Sequence, residues 1–160
     1  MKTLVLKNLH LESIAKVLNY PMPFQKGRTK KQFLMIIGQK AQALEKNRVD
    51  MLMDLAEKDK DGKPVIENNS YKILPDNMPK WNEEYGKMMM EDCIIDVTPS
   101  VEAIIGPVKS MILESSVALD DRDTLFIEEV IKAIDNVKNN KPKEEVAEAK
   151  EEVAEEAKAE

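Results

Sequence analysis

The longest regular pattern of apolar residues runs from about Thr29 to Lys58 and has the 3.6-residue period of an α-helix. At 100° per residue its apolar positions fall within one sector of about 100°, which is typical of a helix with one buried face. These positions are Phe33, Ile37, Ala41, Leu44, Met51, Leu52 and Leu55.

Two residues of this segment do not fit a simple amphipathic helix. Arg48 falls in the same sector, and two interpretations are open. Its stem could lie on the core while its guanidinium reaches water, or it could form a buried or interfacial ion pair with a carboxylate. Gly38 costs the helix about 1 kcal/mol relative to Ala. We therefore expect another backbone to pass close to Gly38.

A shorter pattern precedes the long helix. Lys2 to Lys7 is rich in branched residues and is either a strand or the entry to a helix. Asn8 is the predicted cap of a helix that covers the following residues, 9–19. The segment Tyr20-Pro21-Met22-Pro23 ends that helix, because each proline removes a donor and biases the residue before it away from helical geometry.

The segment after the long helix predicts β-structure and a further helix. Lys63 to Leu74 reads as a β-hairpin that turns at Asn68-Asn69-Ser70. Pro79 stands where the first turn of the next helix would begin. Cys93 to Val97 is short and branched, which predicts a strand.

Two helices complete the predicted body. Thr98 is the cap and Pro99 the first residue of one, which Gly106-Pro107 is expected to break or kink. The last helix is predicted to begin at Asp123 or Thr124.

These elements predict an α+β fold that is predominantly α-helical, with helices packed around one β-hairpin and one or two short strands. A length of 160 residues favours one domain, which we assign to residues 1–138. Residues 139–160 differ from the rest: an acidic Lys/Glu/Ala tail in which EEVAEAK and EEVAEEA nearly repeat, with Val146 and Val153 in register. Two such heptads bury too little for a coiled coil, so a frayed helix or a disordered tail is predicted, with an oligomerising segment as the alternative.

Composition narrows the possible functions. The net charge is −6, of which the tail from residue 141 carries −4, so no basic field for general nucleic-acid binding is present. Cys93 and His10 are the only residues of their types, which excludes an internal disulfide and removes the usual parts of zinc sites and Ser-His catalysis. No apolar run is long enough for a membrane span, and no signal peptide is recognised. A soluble cytoplasmic protein is expected.

The stretch EKDKDGKPVI, residues 57–66, resembles a calcium loop for its first six positions. The register then fails, because Pro64 occupies position eight and Asn68 occupies position twelve, where calcium needs a bidentate Glu. Asp61-Gly62 is therefore predicted to form the turn that leaves the long helix, with Gly62 at positive φ.

Other acidic residues support only an alternative function. Glu83-Glu84, Glu91-Asp92 and the cluster at Asp120, Asp121 and Asp123 are typical of solvated faces. A divalent-metal-dependent hydrolase or nuclease would need such carboxylates, Asp61 or Asp123 for example, to converge from different segments on one pocket.

Candidate partner-binding residues form two groups. Arg28, Lys30 and Lys31 are a compact basic cluster at the predicted start of the long helix, where a phosphate, an acidic partner or only water would contact them. The second group belongs to residue types enriched at interface centres, and it consists of Arg48, Trp81, Tyr85, Met88 and Met89.

The order of these features resembles small tailed-bacteriophage proteins of unassigned function. The resemblance covers roughly residues 8–135 and leaves out the acidic tail. It rests on a basic entry to a Phe-started helix, an arginine within that helix and a Lys-Asp-Gly-Lys-Pro turn, which correspond here to Arg28, Thr29, Phe33, Arg48, Asp61, Gly62 and Pro64. It implies a phage origin and brings no catalytic residue.

The sequence thus predicts a non-enzymatic protein–protein interaction module, such as a bacteriophage accessory or virion-associated protein or a binder of a host factor. Its partner would be a phage or host protein or a second copy of itself, in the host cytoplasm, with no cofactor, metal or membrane involved.

Overall fold

The computed structural model describes residues 2–139, which form a predominantly helical α+β fold and confirm the predicted fold class. Five α-helices lie within these residues: α1 (His10–Val17), α2 (Phe24–Leu55), α3 (Met78–Met90), α4 (Pro99–Glu114) and α5 (Asp121–Asn139). A single 3-10 turn, Pro75–Asn77, precedes α3. The strands in this part of the chain are β1 (Thr3–Lys7), β2 (Ile66–Glu67), β3 (Ser70–Tyr71) and β4 (Asp92–Asp96).

Strands β1 and β4 form an antiparallel pair that joins the two halves of the chain. Thr3 lies opposite Asp96 and Lys7 lies opposite Asp92. Alternate side chains enter the core from both strands: Leu4, Leu6, Cys93 and Ile95. Of the two interpretations of residues 2–7, the strand is correct, and the predicted strand at 93–97 is confirmed with its bounds one residue earlier.

The main core lies between this sheet and helices α1, α2, α4 and α5. Helix α2 contributes its fully buried residues Phe33 and Ile37 to it. The other buried positions of α2, Leu52 and Leu55, lie near its end and outside the main core. The predicted apolar stripe is therefore buried at both ends, while its middle is only half covered.

The bounds of α2 differ from the prediction. The helix begins at Phe24, because Pro23 takes an extended ψ of 151° and the next residues continue the helical turn. It ends at Leu55, three residues early, because Ala56 turns extended and pairs with Ile73. Backbone pairing with the hairpin thus overrides helical propensity at residues 56–58.

The predicted hairpin is confirmed. Asn68 and Asn69 have φ values of 51° and 60°, which Asn tolerates better than other side chains do. The turn at Asp61-Gly62 is also confirmed, since Gly62 has φ of +77°. Asp59 holds it by accepting hydrogen bonds from the amides of Asp61 and Lys63. This turn follows an extended segment rather than the helix itself.

Asn8 does not cap α1, contrary to the prediction. Its side-chain amide donates to the carbonyl of Met88 at 2.8 Å, and its backbone amide donates to Glu91. Carbonyls at a helix C-terminus lack partners within the helix, so Asn8 satisfies the end of α3 instead. A long-range contact takes the place of the local cap.

The last two helices keep the predicted order with two changes. Thr98 caps α4 as expected. The helix continues through Pro107, so of the predicted break or kink the break is not found. Helix α5 begins at Asp121, two residues early, because Asp120 accepts the amide of Asp123 at 2.7 Å and so takes the capping role. Asn139, the first residue of the predicted tail, is the last residue of α5, and residues 140–160 lie outside the described residues.

A buried polar contact joins α1 to α5. Asp123 is only 4% exposed and accepts a hydrogen bond from Ser13 at 2.6 Å and one from Lys16 at 3.0 Å. The Ser13 hydroxyl and the Lys16 ammonium hold the pKa of Asp123 below its usual range. One turn further on, His10 accepts the Lys7 amide through Nδ1, so its Nε2 is free to donate to Glu129 at 2.8 Å.

We expect Asp123→Asn to make stability less dependent on acidic pH. Because the pKa of Asp123 is lower in the folded state than its unfolded value of about 3.9, its contribution is complete at neutral pH and is lost as the pH falls through the folded pKa. Asp123→Asn should therefore lower the melting temperature at pH 7 and flatten its fall below pH 5. Asp121→Asn, on the exposed first turn, is the matched control. Equal acid profiles for parent and Asp123→Asn would contradict this account.

Cys93 should resist thiol reagents in the native protein. Burial raises the pKa of its thiol, although the nearby Lys40 opposes that rise, and the side chain faces the core. Reaction then requires opening of the β1–β4 sheet, so the native rate should be at least about a hundredfold below that in denaturant. Absorbance with an aromatic disulfide reagent measures both rates. Similar rates would show that β4 is accessible.

Candidate functional site

An open groove lies where the apolar stripe of α2 is uncovered. It has a volume of about 520 Å³, with α2 as its floor, α1 as one wall and α3 as the other. Its apolar lining consists of Leu11, Ala15, Leu34, Ile37, Gly38, Ala41, Leu44, Met88 and Met89, and its polar or amphipathic lining of Asn8, Glu12, Glu45, Arg48 and Tyr85. A volume of this size is typical of ligand pockets.

The floor follows one face of α2. From Leu34 to Arg48 the lining positions recur every three or four residues, so they form a continuous row. Fourteen residues of helix extend about 21 Å. The groove is therefore long and narrow, in the direction of the helix axis.

Small residues give the groove its depth. Ala15, Gly38 and Ala41 lie where bulkier side chains would fill the space. A Cβ placed on Gly38 meets no atom within 4 Å, so the expected close backbone approach is not found. The role of Gly38 is to leave the floor open.

Helix α3 is fixed at both ends, which keeps the wall in place. At its C-terminal end the Asn8 side chain binds Met88, and the Leu9 amide donates to Met89 at 3.0 Å. At its other end the Asn77 side chain donates to the carbonyl of Leu55 at 3.0 Å. These bonds hold α3 against the strand–helix junction and against the end of α2, so the groove between them stays open.

Arg48 forms an ion pair at the rim. Its Nε and Nη2 donate to the two carboxylate oxygens of Glu45 at 2.7 and 2.6 Å. The paired side chains are 35% and 57% exposed, so the pair belongs to the mouth of the groove and not to the core. The hydrogen bonds lower the pKa of Glu45 and raise that of Arg48. A carboxylate partner is therefore found one helical turn away on the same helix, but the pair is partly exposed and not buried, so neither of the two interpretations of Arg48 holds in full.

A second depression continues the groove past its other end. It has a volume of about 400 Å³ and shares Glu12, Ala15 and Leu34 with the first. Its further lining includes Lys16 and Lys30. Together the two form a single trough, which we name the α2 trough, running from Arg48 to Lys30. Eighteen residues of helix correspond to about 27 Å.

The structure brings together four of the eight predicted site residues. Arg48, Tyr85, Met88 and Met89 all line the groove, although they come from two helices far apart in sequence. Trp81 stacks on Tyr85, with ring centroids 5.3 Å apart and planes inclined by 21°. Trp81 thus lies next to the groove and supports its wall.

The predicted basic cluster is dispersed. Because α2 begins at Phe24, these residues lie in its second turn and not at its N-terminus, so the dipole argument for an anion loses its basis. Arg28 stands over the Phe24 ring at 5.9 Å, and Lys30 donates to the carbonyl of Tyr20 at 2.8 Å. Lys31 is exposed, and of the three only Lys30 lines the trough.

Most of the α2 floor and the wall formed by α1 were not among the residues predicted from the sequence. Ala41 and Leu44 read as ordinary core positions, and Leu11 and Ala15 as the buried face of a short helix. The available signal was the length of the α2 stripe, which is greater than a short neighbour can cover, together with Gly38 near the middle of the helix.

The acidic residues considered for metal chemistry do not converge. Asp61 lies in the exposed turn, and Asp123 is occupied by Ser13 and Lys16. Among residues 2–139 no three His, Cys, Asp or Glu side chains are grouped closely enough to hold a metal ion. The same residues contain no helix whose length and apolar character would suit a membrane span.

Comparison with protein-family models, with curated proteins and with solved structures finds no match to this chain.

We expect Gly38→Ala to stabilise the protein, because the added methyl group meets open space and Ala favours the helix. The free energy of unfolding should rise by about 1 kcal/mol. Gly62→Ala is the contrasting variant: its positive φ penalises a side chain, so the same measurement should fall by about 1 kcal/mol. Chemical denaturation of both variants measures the difference. A loss of stability in Gly38→Ala would mean that the floor is not open.

Proposed function

We propose that this protein is a non-enzymatic protein–protein interaction module that binds an amphipathic helix of its partner in the α2 trough. A role as a bacteriophage accessory or virion-associated protein, or as a binder of a host factor, is part of this proposal and rests on the resemblance in residues 8–135.

The observation that carries the proposal is the uncovered middle of the α2 stripe. A surface helix normally buries its apolar face, yet here the face is buried at Phe33 and Ile37 and again at Leu52 and Leu55, with a groove between. A long apolar groove walled by helices suits the helix-in-groove mode of recognition. Methionine at the wall, Met88 and Met89, adapts its shape to a partner at low cost.

The trough also constrains the chemistry of the partner helix. Its small floor residues leave room for side chains that project inward at every third or fourth position. Lys16 and Lys30 lie at one end, and the Arg48–Glu45 pair lies at the other. We therefore expect a partner helix with apolar residues on one face and acidic residues at the end that meets Lys30.

A defined peptide set tests this proposal. The first peptide is an amphipathic helix of about 18 residues with alanine and valine on one face and glutamate elsewhere. The second carries lysine in place of glutamate, and the third is a scrambled sequence. All three lack tryptophan, so Trp81, the single tryptophan of the chain, reports binding to the full-length protein.

The acidic amphipathic peptide should bind most tightly, and Gly38→Leu should weaken its binding at least about tenfold, the equivalent of 1.4 kcal/mol. Gly27→Leu is the matched control, because Gly27 also lies on α2 with no atom within 4 Å of an added Cβ, but away from the trough. Equal binding of the amphipathic and scrambled peptides, or no effect of Gly38→Leu, would overturn the proposal.

A further inference from the structure

We infer that residues 143–160 of the same chain bind the α2 trough as a helix and compete there with the partner. This inference rests on the proposed function of the trough as a helix-binding site and adds its regulation. Three properties support it: the pattern of the segment, its charge and the position from which it starts.

The pattern of the segment matches the shape of the trough. Val146, Ala149, Val153 and Ala157 fall within about 80° of one another on a helical wheel, so a helix here presents a stripe of small apolar side chains. The trough floor is itself built of small residues, so a slender helix can approach it closely. Two heptads of this composition do not hold a stable helix alone, so the segment needs a surface to fold against.

The charge of the segment matches the basic end of the trough. From residue 141 onward the chain contains eight Glu and four Lys. At the far end of the trough Lys16 is already paired with Asp123 and Glu12, at 3.0 and 3.2 Å. Lys30, at the same end, is held by the neutral carbonyl of Tyr20, so its charge is not neutralised by that bond. Glutamates in the second heptad would meet Lys30, while Arg48 lies at the entrance.

The segment follows α5, and α5 ends on the side of the molecule where the Met88 end of the trough lies. Asp123 contacts Ser13 and Glu129 contacts His10, so α5 runs antiparallel to α1 and leaves it at the N-terminal end of α1. The same end holds the Met88 wall, because the Asn8 side chain binds Met88.

The lengths agree with this arrangement. Asn139 lies ten residues beyond Glu129, about 15 Å along the helix axis. Seven extended residues, from 139 to 146, span up to about 25 Å, which is more than the 15 Å by which α5 runs past Glu129. The apolar stripe from Val146 to Ala157 would be about 18 Å long as a helix, which is within the 27 Å or so from Arg48 to Lys30.

Binding within one chain changes the affinity for a partner. A short linker gives the segment a millimolar effective concentration at the trough, so even a weak contact is populated. If the segment fills the trough in nine molecules of ten, the apparent affinity for a partner helix falls about tenfold. The acidic segment would then select for partners that bind tightly enough to displace it.

Energy transfer within the full chain tests the inference. Trp81, beside the groove, is the donor, and an acceptor dye on Glu155→Cys is placed on the face opposite the apolar stripe. Cys93 is buried, so native-state labelling is directed to the new cysteine. We expect transfer that does not change with protein concentration, because the contact is within one chain.

Two variants should release the segment. Val146→Asp with Val153→Asp removes the apolar stripe, and Gly38→Leu fills the floor, so each should lower transfer at least about twofold. The matched controls, Ala147→Asp with Ala154→Asp and Gly27→Leu, add the same groups beside the stripe and outside the trough and should leave transfer unchanged. The release variant of the segment should also bind the acidic peptide about tenfold more tightly.

The outcomes separate this inference from the proposed function. If the peptide binds and Gly38→Leu blocks it, but transfer is the same in all variants, the trough binds helices and this inference is wrong. Transfer that grows with protein concentration shows contact between copies and also overturns it. If neither the peptide nor the segment responds to Gly38→Leu, the proposed function fails as well.

Discussion

The structure depends on how much of α2 its neighbours can cover. A helix of 32 residues is about 48 Å long, whereas α1 has 8 residues and α3 has 13, or about 12 and 20 Å. The sheet, α1 and α4 bury the first half of the stripe, and the residues around Leu52 and Leu55 are buried separately near its end. The apolar surface left between these two regions is the groove, and its position follows from these lengths.

The groove does not close because polar contacts hold its walls apart. A flexible wall would move onto the exposed apolar surface, since burial of that surface is favourable. At one end of α3 the Asn8 side chain donates to the Met88 carbonyl, and at the other end Asn77 donates to the Leu55 carbonyl of α2. Asp123 of α5 accepts from Ser13 and Lys16 of α1. Each wall is therefore positioned by bonds on its far side or at its ends, and the apolar face between them remains available.

Local sequence signals predicted the local features well. The Asn68-Asn69 turn, the Gly62 turn and the Thr98 cap each depend on a few adjacent residues, and the structure confirms all three. The failures involve competition from distant parts of the chain. Ala56 leaves the helix to pair with Ile73, and Asn8 binds α3 instead of capping α1.

The candidate site was predictable only in part for the same reason. Arg48, Tyr85, Met88 and Met89 were selected by residue type, and their meeting at one groove is a tertiary result that no spacing along the chain indicates. The sequence showed that Gly38 costs the helix stability, but the reason inferred for it, a close backbone approach, was wrong. A glycine that lets another backbone pass and a glycine that leaves an open space cannot be distinguished from the sequence.

The hairpin carries a mechanical consequence for the groove. Residues 56–59, 63–67 and 70–73 form a small ribbon at the end of α2, held by backbone bonds such as Glu57 to Lys72 and Val65 to Glu57. This ribbon and the buried residues Leu52, Leu55 and Ala56 lie outside the main core, so they can open at a lower free energy than the rest of the fold. The Arg48 end of the trough adjoins this less stable ribbon, and the Lys30 end adjoins the more stable main core. Local opening of the ribbon would therefore loosen the Arg48 end of the trough and leave the Lys30 end in place.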